Sequence, residues 1–284
     1  METQPSPANA PNPEPAAKVD KQPESWWGTL RFFAILFLVT VMVRSFVFAP
    51  FMIPSGSMLP NLMIGDYLFV TKWPYGWSRY SMPFGLGGFS GRVWGALPDR
   101  GDIVVFRYPG QENEDFVKRV IGLPGDRISV RDGAIILNGR PVERQRIADY
   151  AMPVSPNSPC RIVADDPANG ERQGPNGREC RYPRYQETLP GGRSYQILDQ
   201  GRTMPDDFAE IIVPQGHLFV MGDNRDDSAD SRVAQQAGGV GLLPVDNVLG
   251  EVLVAFWSTD GSVEWLKPWT WFSAARWSRI GTLY

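Results

Sequence analysis

Three short stretches of this 284-residue chain hold residue types that do chemistry together. The first is Pro54-Ser55-Gly56-Ser57-Met58-Leu59-Pro60. Gly56 frees the backbone ahead of Ser57, and the two prolines restrict the flanks. Such a turn exposes a hydroxyl and aims its own N–H at a substrate oxygen. A serine nucleophile needs a base. The single histidine, His217, lies in the strand-like run Gly216-His217-Leu218-Phe219-Val220, which suits a structural residue, and nothing marks a triad. Lysine is the other base. Lys118 sits in Asp115-Phe116-Val117-Lys118-Arg119-Val120-Ile121-Gly122, and in a strand Phe116, Lys118 and Val120 share one face. An apolar face desolvates the ammonium and pulls its pKa down from about 10.4 towards neutrality, where the amine serves as a base. The third stretch runs from Gly222 to Arg232 and is dense in charge. A calcium loop is excluded there, because an EF-hand counted from Asp223 needs Gly and Glu where Ser228 and Ala234 stand. Taken singly, each stretch is ordinary: Ser-Gly-Ser occurs in many loops, and a lone lysine sits at many sheet edges.

The elements that must position these residues read as strands. Asp66–Val70, Asp102–Phe106, Phe116–Ile121, Arg127–Val130, Ala134–Leu137, His217–Met221 and Val252–Phe256 are β-branched and aromatic runs, punctuated by Gly-Asp pairs and Asn138-Gly139. The expected fold is mainly β: an antiparallel-sheet catalytic domain over 49–143 and 216–260, with an extended loop or hairpin at 75–100. Residues 144–215 hold Cys160 and Cys180 and read as an inserted, irregular β subdomain. The Trp-rich segment 261–284, with Trp265, Trp269, Trp271 and Trp277 among basic residues, fits either a membrane-interface segment or a tail packed on the domain.

Residues 1–25 are rich in Pro, Ala, Asn and Glu and are expected to be a disordered tail. The apolar stretch 26–48 follows. Its uncharged part, Phe32 to Val43, is short for a bilayer, but from Trp26 to Phe48 it exceeds the about 20 residues needed, with Arg31 and Arg44 snorkelling to the interfaces. It is therefore read as one spanning helix, with the N-terminus cytoplasmic from the placement of Lys18, Lys21 and Arg31. A cleaved leader ending at Ala49 is disfavoured by Pro50 directly after the cut.

Composition excludes several classes. With 28 basic against 31 acidic residues and a net charge of −3, nucleic acid is not an expected partner. Two cysteines and one histidine cannot build a structural zinc site, so no metal is expected. The even cysteine count fits one Cys160–Cys180 disulfide outside the cytoplasm, or two unrelated thiols.

Taken together and in order, the stretches resemble bacterial signal peptidase I, the leader peptidase family. The matching boxes are Arg44-Ser45-Phe46 through Pro54-Ser55-Gly56-Ser57-Met58, then Gly65-Asp66-Tyr67, then Lys118-Arg119-Val120-Ile121-Gly122-Leu123-Pro124-Gly125-Asp126, then Gly222 to Arg232. The resemblance implies a membrane-anchored serine endopeptidase that removes signal peptides after a small residue, in Ala-x-Ala contexts. Ser57 is then the nucleophile and Lys118 the base. The Ser57 N–H and the Ser55 hydroxyl form the oxyanion hole, and Ser228 bonds and orients the lysine. Gly222 leaves room beside that lysine; Asp223, Arg119, Asp230 and Arg232 form supporting ion pairs. Phe51, Ile53, Pro54, Met58, Leu62, Asp115, Phe116 and Val117 bind substrate, with the strand from Asp115 pairing with an extended peptide. No cofactor is implied. The expected setting is the bacterial inner membrane, single-pass, with a monomeric enzyme facing the periplasm and preproteins and lipid bilayer as its partners. One departure matters: Asp226-Asp227-Ser228 stands where the family commonly has Asp-Asn-Ser, and an extra carboxylate near Lys118 favours the ammonium, so Asp227 is expected to point to solvent. Two rivals fit less well. Self-cleaving repressors share the serine–lysine chemistry but carry no membrane span, and a degenerate scaffold would not keep Ser55, Ser57, Lys118 and Ser228 together.

Overall fold

The computed structural model describes residues 26–81, 90–111, 114–164, 169–175, 177–264 and 266–284. The tail 1–25, part of the 75–100 stretch and Trp265 lie outside them. The chain divides into one unit ending at Thr40 and another running from Val41 to Tyr284.

The apolar stretch is an α-helix, Trp26–Phe46, of 21 residues. At 1.5 Å per residue this covers about 30 Å, a bilayer's hydrocarbon thickness. By length and composition it is long and apolar enough to cross a membrane, and its most apolar window holds no buried residue. The helix stops at Phe46, short of the expected Phe48, because Phe48–Met52 is already a strand, paired with Asp66–Thr71.

The second unit is built on a seven-stranded antiparallel sheet. Its order is Phe48–Met52, Asp66–Thr71, Val248–Ser258, Ile103–Arg107, Asp115–Gly122, His217–Met221 and Leu243–Pro244. Apolar side chains fill both faces, as alternation along the strands requires. Ile103 and Val105 join the cluster of Ile53, Met58 and Leu68, while Val104, Phe106 and Val120 join that of Leu218 and Val248. One pairing is incomplete. His217–Met221 pairs with Arg119 to Gly122 only, and no described strand takes that side of Asp115 to Lys118.

A four-stranded sheet follows, Phe208–Ile212, Arg127–Arg131, Ala134–Leu137 and Arg140–Pro141, so the inserted region shares a sheet with the segment before it. The rest of the insert is β structure as well, with a register shift between Ile147 and Tyr150. Its two long strands, Glu143–Pro153 and Gly177–Thr188, pair along their length, with Gly170–Gly174 and Ser194–Leu198 beside the second. Cys160 is bonded to Cys180 of that second strand, with the two Cα atoms 5.3 Å apart. Within 75–100, Trp77–Ser78 and Arg92–Val93 form a small hairpin. The C-terminal segment is docked through its arginines. Arg279 ion-pairs with the buried Asp66 at 2.6 Å, and Arg276 donates to the carbonyls of Ile64 and Thr259. Trp269, Phe272 and Trp277 of this segment face outwards.

Candidate active site

The turn carrying Ser57 leaves the first strand of the sheet and is tied from several sides. Ile53 N–H donates to Asp66 O at 2.8 Å, and Leu62 N–H to Met58 O at 2.9 Å. Asn224 clamps it from across the sheet: its N–H donates to Ser57 O at 3.0 Å and its Nδ2 to Gly56 O at 3.1 Å. Gly56 does not adopt a left-handed conformation, so its role is spatial; a Cβ there would lie 3.3 Å from Leu59 Cδ1.

Lys118 comes from the strand Asp115–Gly122, beside the middle strand of the sheet. Its register partner Val104 and its neighbour Val120 are fully buried. The lysine itself is only 4% exposed, and its Nζ lies 2.6 Å from Ser57 Oγ. Burial lowers its pKa to about 8. Asp230, Asp223 and Asp227 pull the other way and Arg232 assists, but desolvation wins. A second buried lysine gives a useful contrast. Lys72 is likewise lowered to about 8, by burial and then by Arg44, yet its Nζ donates to the Ser81 carbonyl at 3.0 Å. Burial favours the neutral amine at both lysines, and of the two Lys118 is the one that lies against a serine hydroxyl.

A groove of about 580 Å³ runs past the pair. Phe51, Ile53, Pro54, Ser55, Met58, Asp115, Phe116 and Val117 line it. Leu62 does not: it is wholly buried in the core beneath, packed with Ile53 and Met58. Ser55 Oγ sits 3.4 Å from Ser57 Oγ at the lip of the groove. Ser228 reaches the site without the bond expected of it. Its Oγ is buried and has no hydrogen-bond partner among the described residues, since the lysine is turned to Ser57. Gly222 makes room chiefly for Ser228: a Cβ on Gly222 would collide with Ser228 Oγ and stand 2.6 Å from Ser57 O. His217 is remote from this chemistry in its contacts, its Nδ1 lying 3.2 Å from Gln215 O.

Behind the site lies a set of buried ion pairs. Arg119 grips Asp223 at 2.7 Å through both Nε and Nη2, and Asn61 Nδ2 donates to Asp223 Oδ2 at 2.7 Å. Arg232 holds Asp230 through Nε and Nη2, both at 3.0 Å, while Asp230 also accepts the Gly222 N–H at 3.0 Å. These four residues were legible in the charged boxes. Arg225, which lies in the third stretch without a role assigned to it, and Glu187, which lies in no box, form another fully buried pair, each side chain 1% exposed. Glu187 belongs to the insert, so the insert supports the site. Tyr195, whose ring carries the Arg119 guanidinium at 4.2 Å, was not singled out in the sequence, and Asn224 and Asn61 were given no role there. Asp227 corrects an expectation. Its carboxylate is 15% exposed, lines the groove and pairs with Arg161 Nη2 at 3.0 Å, because the loop after Cys160 brings a cation to it. Burial raises its pKa, against Arg161 and Lys118.

Comparison with known proteins gives the family. Residues 26–257 match the family described as signal peptidase, peptidase S26. A signal peptidase I of Rickettsia prowazekii (strain Madrid E) is 33% identical over 270 residues, covering 87% of this chain and 90% of its own. One of Rickettsia canadensis (strain McKiel) is 33% identical over 259 residues, covering 84% and 86%. Among solved structures, a signal peptidase I from Enterococcus faecalis V583 matches 55% of this chain and 97% of its own at 24% identity, with a TM-score of 0.29. The chain belongs to the signal peptidase family, peptidase S26, and is a hydrolase.

Proposed function

We propose that this chain is a membrane-anchored signal peptidase that cuts preproteins after a small residue through a Ser57–Lys118 dyad. The observation that carries this is the 2.6 Å separation of Ser57 Oγ and Lys118 Nζ, both buried. With the amine neutral, the serine O–H donates to it. Ser57 Oγ attacks the scissile carbonyl carbon, and the serine proton passes to Lys118 Nζ. The tetrahedral oxyanion is met by the Ser57 N–H and the Ser55 hydroxyl. The intermediate collapses, the C–N bond breaks, and Lys118 returns the proton to the departing amine of the mature chain. Water, deprotonated by Lys118, then attacks the acyl-enzyme ester and releases the signal peptide as a carboxylic acid. In this reaction Ser228 takes up the bond to the lysine that it lacks at rest.

The open side of Asp115 to Lys118 supports recognition of an extended peptide by strand pairing. Its alternate side chains then face the apolar floor made by Ile53 and Met58, both almost completely buried, which leaves depth for a methyl group at −1 and −3. The helix Trp26–Phe46 serves as the anchor, with the N-terminus cytoplasmic and the catalytic unit on the outer side, where the Cys160–Cys180 bond is stable. The test is processing of a preprotein by the full-length chain in detergent. Ser57→Ala and Lys118→Met should each abolish it while leaving thermal melting near wild type; retained processing by either sinks the dyad.

A further inference from the structure

Three carboxylates act electrostatically on the Lys118 amine, those of Asp230, Asp223 and Asp227, and they are held unequally. Asp223 is fixed by Arg119 and Asn61, and Asp230 by Arg232 and the Gly222 amide, all on buried backbone. Asp227 is different. It stands in the groove wall with Ser57 and Lys118, and its Oδ2 lies 4.0 Å from where a Cβ on Gly56 would be, against the nucleophile turn. Its ion-pair partner among the described residues is Arg161. The neighbouring Asp226 is turned away, accepting from the Gln200 N–H at 2.6 Å and Thr203 Oγ1 at 2.7 Å. Asp115, at the far end of the groove, is paired with Arg107 at 3.0 Å.

Arg161 lies outside every charged box, in the insert, directly after Cys160. Its placement is built into the fold. Cys160 is bonded to Cys180, and the Arg161 N–H donates to the hydroxyl of the buried Tyr182 at 3.0 Å. The backbone is thus fixed before the side chain reaches out, which reduces the entropy lost in holding the pair. An unheld carboxylate on the groove wall turns to the nearest cation, and the lysine then pairs with it instead of Ser57.

We propose that Arg161 is a positioning residue of the dyad, holding the Asp227 carboxylate away from the Lys118 amine so that the amine stays available to Ser57. This rests on the reading of Lys118 as the base. It also accounts for the carboxylate that stands where the family commonly has an amide: the charge is tolerated because the insert supplies its counterion. The sign is definite. Freeing Asp227 stabilises the ammonium, so a higher pH is needed to form the neutral amine and the acid limb of the pH–rate profile moves up.

The test is kcat/KM against pH for the full-length chain in detergent, as wild type, Arg161→Gln, Arg161→Lys, Asp227→Asn and the Arg161→Gln/Asp227→Asn pair. Arg161→Gln should raise the acid limb by about one unit and keep the alkaline plateau, a loss of about tenfold at pH values well below the limb. Arg161→Lys, which keeps the charge, should stay near wild type. Asp227→Asn should not move the limb upwards, and the pair should lie with Asp227→Asn. A wild-type limb in Arg161→Gln, or a pair with its limb as high as Arg161→Gln, overturns the proposal. Arg161 is mostly exposed, so folding tolerates its loss; if Arg161→Gln nonetheless melts, an upward limb in Asp227→Asn alone overturns the proposal as well. In the same assay Ser57→Ala and Lys118→Met should be dead at every pH. Their silence with an unmoved Arg161→Gln removes only this inference, whereas their activity removes the dyad with it.

Discussion

Replacing Glu187 by Gln tests whether the insert is part of the catalytic scaffold. Glu187 does not line the groove, yet Arg225 Nη1 donates to its Oε1 at 2.7 Å, Arg225 Nη2 to its Oε2, and Tyr195 Oη to its Oε2 at 2.9 Å. Both partners are 1% exposed. Gln keeps the shape and leaves the Arg225 charge buried without its counterion. Breaking a buried pair from one side costs about 3–5 kcal/mol, against a total stability of about 5–15 kcal/mol. For a unit of this size that lowers Tm by roughly 6–20 °C. Activity should fall too. Arg225 Nε donates to Gly222 O at 3.2 Å, its N–H to Leu198 O at 2.9 Å, and Arg232 donates to its carbonyl, so a relaxed Arg225 disturbs the segment carrying Ser228. Displacements below an ångström there should cost on the order of tenfold in kcat at 25 °C. The Glu187→Gln/Arg225→Met pair removes both charges and should recover most of the lost Tm. Calorimetry and a peptide-cleavage assay measure both effects. A single variant melting within about 2 °C of wild type, or a double variant melting no higher than the single, refutes the reasoning.

Other outcomes follow from the same geometry. Ser228→Ala removes a buried hydroxyl that bonds nothing at rest, so it should hold or raise stability, by up to about 1 kcal/mol, while lowering kcat at least about tenfold; a kcat within twofold of wild type ends the assignment. The activity of the wild type should rise through about pH 8 as Lys118 loses its proton, because burial puts its pKa there; a profile flat from pH 6 to 10 contradicts it. Replacing Cys160 and Cys180 together by Ser opens a loop whose ends are 20 residues apart and should cost about 3 kcal/mol in denaturant unfolding, an effect that disappears when both proteins are compared under reducing conditions.

The sheet was legible where strands are apolar. Ala134–Leu137 and His217–Met221 have the bounds their β-branched and aromatic runs indicate, since each feeds a core cluster. The strand bounds of the insert were not legible, because Glu143–Pro153 is largely exposed and both it and Gly177–Thr188 are rich in charged residues, which blurs any hydrophobic alternation. They are held by pairing with each other, which a sequence does not display. The same limit applied to the site. Ser57 and Lys118 stood out through motif order, and so did the arginines and aspartates beside them. Glu187, Arg161 and Asn61 did not, since each meets its partner across a long stretch of chain and belongs to no box. Asp227 was misread for the same reason: without Arg161 in view, solvent was the only evident place for its charge.

The half-open strand from Asp115 to Lys118 has a consequence for the fidelity of cutting. A peptide zipped onto that edge can be misplaced only in whole residues, and a slip of one residue turns every inward side chain outwards. A slip of two restores the pattern of faces. Errors in the position of the new N-terminus should therefore come in steps of two residues, and a preprotein with alternating alanines near its cut should yield mature chains that differ by a pair of residues, with the odd-numbered products absent.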